Sequence, residues 1–137
     1  MSIFDAQQYH QNMVHFLSET VSFADDGTAK SLGWVPAGAS ILRGGAVVST
    51  AFNAGTTNTL NIGFRNAGDG TADDVDEYAS LIALGTAGVI AADDMATAAD
   101  AYHPEGAEIV GTVVLTGTAA TAGTATVWVE YIVENDA

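Results

Sequence analysis

Residues Ile41–Phe64 read ILRGGAVVSTAFNAGTTNTLNIGF, and residues Ala125–Val133 read ATVWVEYIV. Both segments alternate apolar residues with small or polar ones at a period near two, and Gly, Asn and Thr separate the runs. This is the period of a β-strand, whose successive side chains point to opposite faces of a sheet. The two segments therefore predict strands, with a bend at Gly44-Gly45.

The same pattern recurs along the chain from Thr20 onward, with turn residues between the runs. Predicted strands cover residues 20–24, 31–35, 40–51, 59–64, 107–116 and 124–134. Residues 78–84 suit a strand or a helix, and residues 66–77 read as a polar loop. Seven or eight short strands without strand–helix alternation predict an all-β protein: a sandwich, jelly roll or barrel.

The N-terminal segment, residues 1–19, has a different character, with mixed polar and apolar residues and no Gly or Pro. Its apolar residues form a loose helical stripe, and Asp5 is a candidate N-cap. We expect a short helix or an extended arm over residues 1–19, followed by a β-sandwich domain over residues 20–137. The sandwich has enough strands without this segment, so its large side chains are candidates for contact with another subunit or protein. They are Phe4, Tyr9, Met13 and Phe16.

The last predicted strand carries large apolar residues on both faces. If Val127, Val129 and Tyr131 face the core, then Trp128 and Ile132 face outward. Exposed groups of this kind usually mark a contact surface. The alternative is that the N-terminal segment or the second sheet covers them within one chain.

The charge balance is strongly acidic, with 17 Asp and Glu against 3 Lys and Arg and a formal net charge of −14. Nucleic-acid binding and attraction to anionic membranes both depend on cations, so neither partner is expected. The N-terminus does not resemble a signal peptide, and no apolar run is long enough to span a bilayer. The excess of carboxylates favours solubility, or a basic partner.

Five carboxylates fall within Asp69–Glu77, a loop of the kind that can hold Ca²⁺. The spacing does not match an EF-hand, and a solvated loop tip is the alternative. Cysteine is absent, and His10, His15 and His103 are not spaced as metal ligands. No serine-nucleophile or phosphate-binding motif occurs. We therefore expect no enzymatic activity, no catalytic residues and no cofactor.

Residues Val35–Gly63 (VPAGASILRGGAVVSTAFNAGTTNTLNIG) resemble the head-decoration, or cement, proteins of tailed bacteriophages. The shared pattern is a Pro-Ala-Gly turn, a glycine pair before a Val-rich strand, an Ala-Phe-Asn-x-Gly-Thr loop and an alternating strand. The resemblance continues through Asp74–Ala79, Leu84–Ala91 and Trp128–Tyr131, and leaves out the segment before Thr20.

The resemblance implies a jelly-roll-like β-sandwich that binds the outer surface of an assembled capsid. It implies the major capsid protein as partner, a homotrimer as the oligomeric state and the virion as location. A head-fibre or tail-associated receptor-binding β-module is the alternative, although such a module usually presents aromatic residues for sugars, and aromatics make up only 8% of this chain.

Overall fold

The computed structural model describes residues 13–134. Nine strands are distributed over two antiparallel sheets. They are β1 (His15–Ser22), β2 (Ala29–Val35), β3 (Ala39–Thr50), β4 (Thr57–Arg65), β5 (Asp74–Ala83), β6 (Gly88–Ala91), β7 (Tyr102–His103), β8 (Ala107–Thr116) and β9 (Thr124–Val133). Two single-turn 3₁₀ helices, Phe23–Asp25 and Met95–Thr97, lie in the connections.

The two sheets pack face to face and form the sandwich. Sheet A has the order β1-β9-β3-β6, with the short β7 also paired with β3, and sheet B has the order β2-β8-β4-β5. Neighbouring strands within each sheet are mostly far apart in sequence, as in jelly rolls. The prediction of an all-β, jelly-roll-like sandwich is confirmed.

The core lies between the sheets and is built from the inward residue of each alternating pair. The largest fully buried side chains come from β4, β5 and β8, among them Leu60, Ile62, Phe64, Tyr78 and Ile109. On β9 the alternation is as the sequence predicts, because Ala125, Val127 and Val129 are buried while Thr126 is exposed and Trp128 is half-buried.

Two predicted boundaries differ from the structure. Residues 15–19 belong to β1, paired with β9 in register from His15↔Tyr131 to Ser22↔Thr124, and are not an arm or helix. Residues 74–77 belong to β5 and not to the polar loop. In both places strand pairing prevails over a local sequence that lacks a clean period of two.

The glycine pair in β3 has a packing role and does not bend the strand into two. The strand runs without interruption through Gly44 and Gly45, and its irregularities lie on either side of them, between Ile41 and Arg43 and between Val48 and Thr50. A Cβ atom on Gly45 would lie 2.2 Å from the Ile90 carbonyl oxygen, and one on Gly44 would lie 2.8 Å from the Trp128 carbonyl oxygen. Only glycine allows both neighbouring strands to approach β3 this closely.

No helix among residues 13–134 is long and apolar enough to cross a membrane.

Candidate interaction surface

The outer face of sheet A carries a group of exposed apolar side chains. Directly paired residues share a face of a sheet, so Val89 on β6, Val47 on β3 and Thr126 on β9 form one row across it. Val89 is 74% exposed and Val47 is 43% exposed. We name the solvent-facing side of β1, β9, β3 and β6 the outer face of sheet A.

Phe16 and Trp128 meet on this face, on the adjacent strands β1 and β9. Phe16 lies directly opposite Glu130, and Trp128 lies opposite Ser18 two pairs further along, on the same face. Phe16 is 68% exposed, whereas Trp128 is half-buried. Together with Glu130 they line an open groove of about 270 Å³.

The charges on this face cancel. Arg43 on β3 lies opposite Glu130, and its Nε donates to Glu130 Oε2 at 2.6 Å while its Nη2 donates to Oε1 at 3.2 Å. This bidentate geometry fixes the orientation of the guanidinium group relative to the carboxylate. The hydrogen bond to Glu130 raises the pKa of Arg43 above its ordinary value. The face therefore presents apolar groups around a neutralised ion pair.

The predicted contact residues are partly brought together. Trp128 and Ile132 both lie on the outer face of β9 and are half-buried. Their side chains are therefore neither fully exposed nor fully covered within the chain. Phe16 lies beside Trp128, and Met13, 60% exposed, lies just before β1. Phe4 and Tyr9 lie outside the described residues. Val47 and Val89 were missed, although the alternation of Val47 with the buried Ala46 and Val48 is a usable signal.

One end of the sandwich is strongly acidic, in contrast to the outer face of sheet A. Loops 66–73, 92–101 and 104–106 lie together there with the start of β5. We name this region the acidic end. Its carboxylates are Asp69, Asp73, Asp74, Asp76, Glu77, Asp93, Asp94, Asp100 and Glu105. Backbone hydrogen bonds tie the loops together, among them Gly68 N–H to Gly106 O at 2.9 Å and Asp94 N–H to Tyr78 O at 3.1 Å.

Many of these carboxylates serve as caps for backbone donors. Asp73 accepts from Asn66 N–H at 2.8 Å, and Glu77 accepts from Ala99 N–H at 2.8 Å. A hydrogen bond that the protonated Asp76 carboxyl donates to Asp74, together with partial burial and the nearby like charge, raises the pKa of Asp76. Within residues 13–134 no group of three or more His, Asp or Glu side chains is arranged to hold a metal ion. Within Asp69–Glu77, Asp69, Asp73 and Asp74 accept hydrogen bonds from backbone N–H groups of their own loop or strand.

A buried polar pair anchors the acidic end to the core. The Tyr78 hydroxyl donates to the Asp100 carbonyl at 3.0 Å and lies 2.5 Å from His103 Nε2. Because the hydroxyl has only one proton, we assign the hydrogen of this second bond to Nε2. Burial lowers the pKa of His103, which is only 3% exposed, and raises the pKa of Tyr78. Its spacing in the sequence argues against His103 as a metal ligand but gives no sign of this pair.

The outer face of sheet B is organised around a half-buried ion pair. Arg65 Nε donates to Glu108 Oε1 at 2.7 Å, and Asn66 Nδ2 donates to the same oxygen at 3.1 Å. The hydrogen bond from Arg65 lowers the pKa of Glu108. Trp34, opposite Glu108 and 59% exposed, is the largest side chain exposed on this sheet. The two tryptophans thus lie on the outer faces of different sheets.

No family model and no curated protein matches the chain. Solved structures do resemble it, and their common fold class is the β-sandwich described above. One is a chain of the acidic stable capsid structure of Helicobacter pylori bacteriophage KHP30, at 15% identity and TM-score 0.64 over 90% of each chain. Another is from the cyanophage Pam1 capsid asymmetric unit, at 20% identity and TM-score 0.60 over 90% of this chain and 86% of that one.

A third similar chain belongs to the capsid of Ralstonia phage GP4, at 18% identity and TM-score 0.64 over 93% of this chain and 86% of that one. The likeness extends over nearly the whole of each chain, so it concerns the complete sandwich and not a shared hairpin. At these identities it shows a common fold.

Proposed function

We propose that the chain is a structural virion protein that binds the outer surface of a tailed-phage capsid and stabilises it. The observation that carries the proposal is the match of nearly the whole fold to three chains that all come from phage capsid structures. The cement-protein pattern in Val35–Gly63 supports it independently, because it rests on turn and strand residues and not on the fold as a whole.

The proposed partner is the major capsid protein, and the proposed role is mechanical and not enzymatic. A protein that strengthens a shell needs a stable core and a surface suited to burial against its partner. The outer face of sheet A has that character, since its apolar side chains surround a neutralised ion pair. The buried Tyr78–His103 pair is closed to substrates, which supports a structural role for it.

A homotrimer is the proposed oligomeric state, following the cement-protein resemblance. Light scattering on the purified full-length chain should then give a mass three times the 14.0 kDa of one chain, either free or after release from shells. A monomer under both conditions would contradict the trimer and leave capsid binding open.

The test of the proposed function is co-sedimentation with empty capsids of the phage, prepared without this protein. The wild-type chain should sediment with the shells to a fixed stoichiometry. Trp128→Ala should weaken binding about tenfold, as truncation of a buried aromatic contact does. Trp34→Ala is the matched control on sheet B and should change binding less than about twofold.

Two results would overturn the proposal. Absence of the wild-type chain from the shell pellet would exclude capsid binding. Binding to bacterial cells together with absence from the shells would favour the receptor-binding alternative. Equal losses for both tryptophan variants would leave capsid binding intact and exclude the outer face of sheet A as its main site.

A further inference from the structure

Among residues 13–134, strand β1 is an edge strand of sheet A, with β9 as its one neighbour in that sheet. Its register with β9 is unbroken over His15–Ser22, without a bulge. The strand HFLSETVS contains no Pro, Lys or Arg. Natural edge strands usually carry such features, because a free edge offers its backbone groups to any extended chain.

The second half of this edge is closed by side chains. Asp25 Oδ2 accepts from Ser22 N–H at 2.8 Å, and Glu19 Oε1 accepts from Thr20 N–H at 2.9 Å. Lys30 Nζ donates to the Thr20 carbonyl at 3.0 Å. These bonds show that the backbone groups of Thr20 and Ser22 point away from β9.

The first half of the edge is open. In an antiparallel pair the outward-pointing residues alternate, so the backbone N–H and C=O of Ser18 and Phe16 also point away from β9. Among residues 13–134 neither residue has a hydrogen-bond partner for these groups. Exposed apolar side chains accompany the open groups, since Met13, Val14 and Phe16 are each about 60–70% exposed.

The open half adjoins the groove between Phe16 and Trp128. A strand added to β1 would send every second side chain to the outer face of sheet A. Such a side chain would lie beside Phe16 and continue the apolar row of that face. The edge thus supplies backbone hydrogen bonds, and the groove supplies a place for a side chain. In strand addition the backbone bonds usually provide affinity and the side-chain sites provide specificity.

Charge indicates which chain would occupy the edge. All three cations of this protein are already engaged by its own carboxylates, in the pairs Lys30–Asp25, Arg43–Glu130 and Arg65–Glu108. A second copy would therefore bring a net charge of −14 and no unpaired Lys or Arg. A strand that carries Lys or Arg meets no such repulsion.

We propose that the open half of β1, Val14–Ser18, receives an extended, basic strand of the capsid shell protein, with an apolar side chain of that strand in the groove between Phe16 and Trp128. The inference rests on the proposed function and specifies its contact. Backbone pairing positions the protein on the shell, and the groove selects the register.

Amide hydrogen exchange of the full chain, alone and on empty shells prepared without it, tests the proposal. The Phe16 and Ser18 amides should exchange fast in the free protein and at least about tenfold more slowly on the shells. The Leu17 and Glu19 amides bond to β9 and should be slow in both states. This alternation is specific to strand addition, because burial of side chains alone would not follow it.

Each other outcome overturns a distinct part of the account. Binding to shells without protection of Phe16 and Ser18 would refute strand addition and leave the proposed function standing. Failure to bind shells would refute both. Protection in the free protein that depends on concentration would assign the edge to a second copy. Protection independent of concentration would assign it to residues 1–12 of the same chain.

A pair of proline variants gives an independent check. Proline is tolerated on an edge where the N–H points outward, so Ser18→Pro and Thr20→Pro make the same change at an open and a closed position. Ser18→Pro should weaken shell binding at least about tenfold, and Thr20→Pro less than about threefold, with circular dichroism unchanged for both. Equal effects would contradict the proposal.

Discussion

The outer face of sheet A and the acidic end differ in the number and pairing of their charged side chains. On the face, the only cation, Arg43, is paired with Glu130, and the surrounding side chains are apolar. At the acidic end, carboxylates are concentrated on loops and on the start of β5, and many of them cap backbone N–H groups. Burial of a neutral apolar face costs little desolvation, whereas burial of unpaired carboxylates costs a great deal. On this ground the face is the less costly region to bury in a contact, and the acidic end is the more costly one.

The largest expected effect comes from the residue that ties the acidic end to the core. Tyr78→Phe removes the hydroxyl and leaves the Asp100 carbonyl and His103 Nε2 without their partner. A buried polar group without a partner costs about 1–3 kcal/mol, so we expect a loss of about 2–3 kcal/mol in the free energy of unfolding. Urea unfolding measures it.

The control is Tyr102→Phe, which removes a hydrogen bond from a half-exposed hydroxyl to Glu134. Its expected cost is below about 0.5 kcal/mol, because water replaces the lost partner. Similar losses for the two variants would mean that the buried pair does not hold the acidic end.

A smaller effect concerns pH and His103. Burial lowers the pKa of His103, while Asp100 and Asp69 oppose this shift. The unfolded chain therefore takes up a proton first as the pH falls below the ordinary histidine pKa of about 6.5. This contribution to stability is complete above that pH and is lost progressively below it.

His103→Gln preserves a donor for the Tyr78 hydroxyl and removes the titrating group. Between pH 7 and pH 5, the free energy of unfolding should fall less for His103→Gln than for wild type. Parallel curves would show that His103 has no part in the acid sensitivity, and the carboxylates would then account for it.

The smallest effect distinguishes solvation from metal binding at the acidic end. Asp76 and Asp74 repel each other, which contributes to the raised pKa of Asp76. Asp76→Asn should raise the free energy of unfolding by a few tenths of a kcal/mol, because exposed charge pairs have small effects. A fall in stability that a chelator reproduces in wild type would instead indicate a calcium site within Asp69–Glu77.

The sequence alone was sufficient for the strands whose two faces differ clearly. β3, β4 and β9 alternate buried and more exposed residues over much of their length, and each was predicted within a few residues. β1 was misread because Phe16 and Leu17 fit a helical stripe and because each face of the strand mixes polar and apolar residues. The strand-like start of β5 was hidden by its carboxylates, which point to solvent from a paired strand.

The surface was harder to predict than the strands. Trp128 and Phe16 were each identified as contact residues, but their adjacency depends on the pairing of β1 with β9, more than 100 residues apart in the chain. Val89 could be assigned to the outer face of sheet A only from its pairing with Val47. Long-range pairing of this kind is set by the packing of the whole sandwich and leaves no local signal.

Thiol labelling of single-cysteine variants tests the central comparison most directly, because the chain has no cysteine of its own. Thr126→Cys places an exposed thiol in the middle of the outer face of sheet A, and Asp73→Cys places one at the acidic end. On empty shells, the labelling rate at position 126 should fall at least about tenfold while the rate at position 73 stays that of the free protein. Protection at position 73 with free labelling at position 126 would contradict the account.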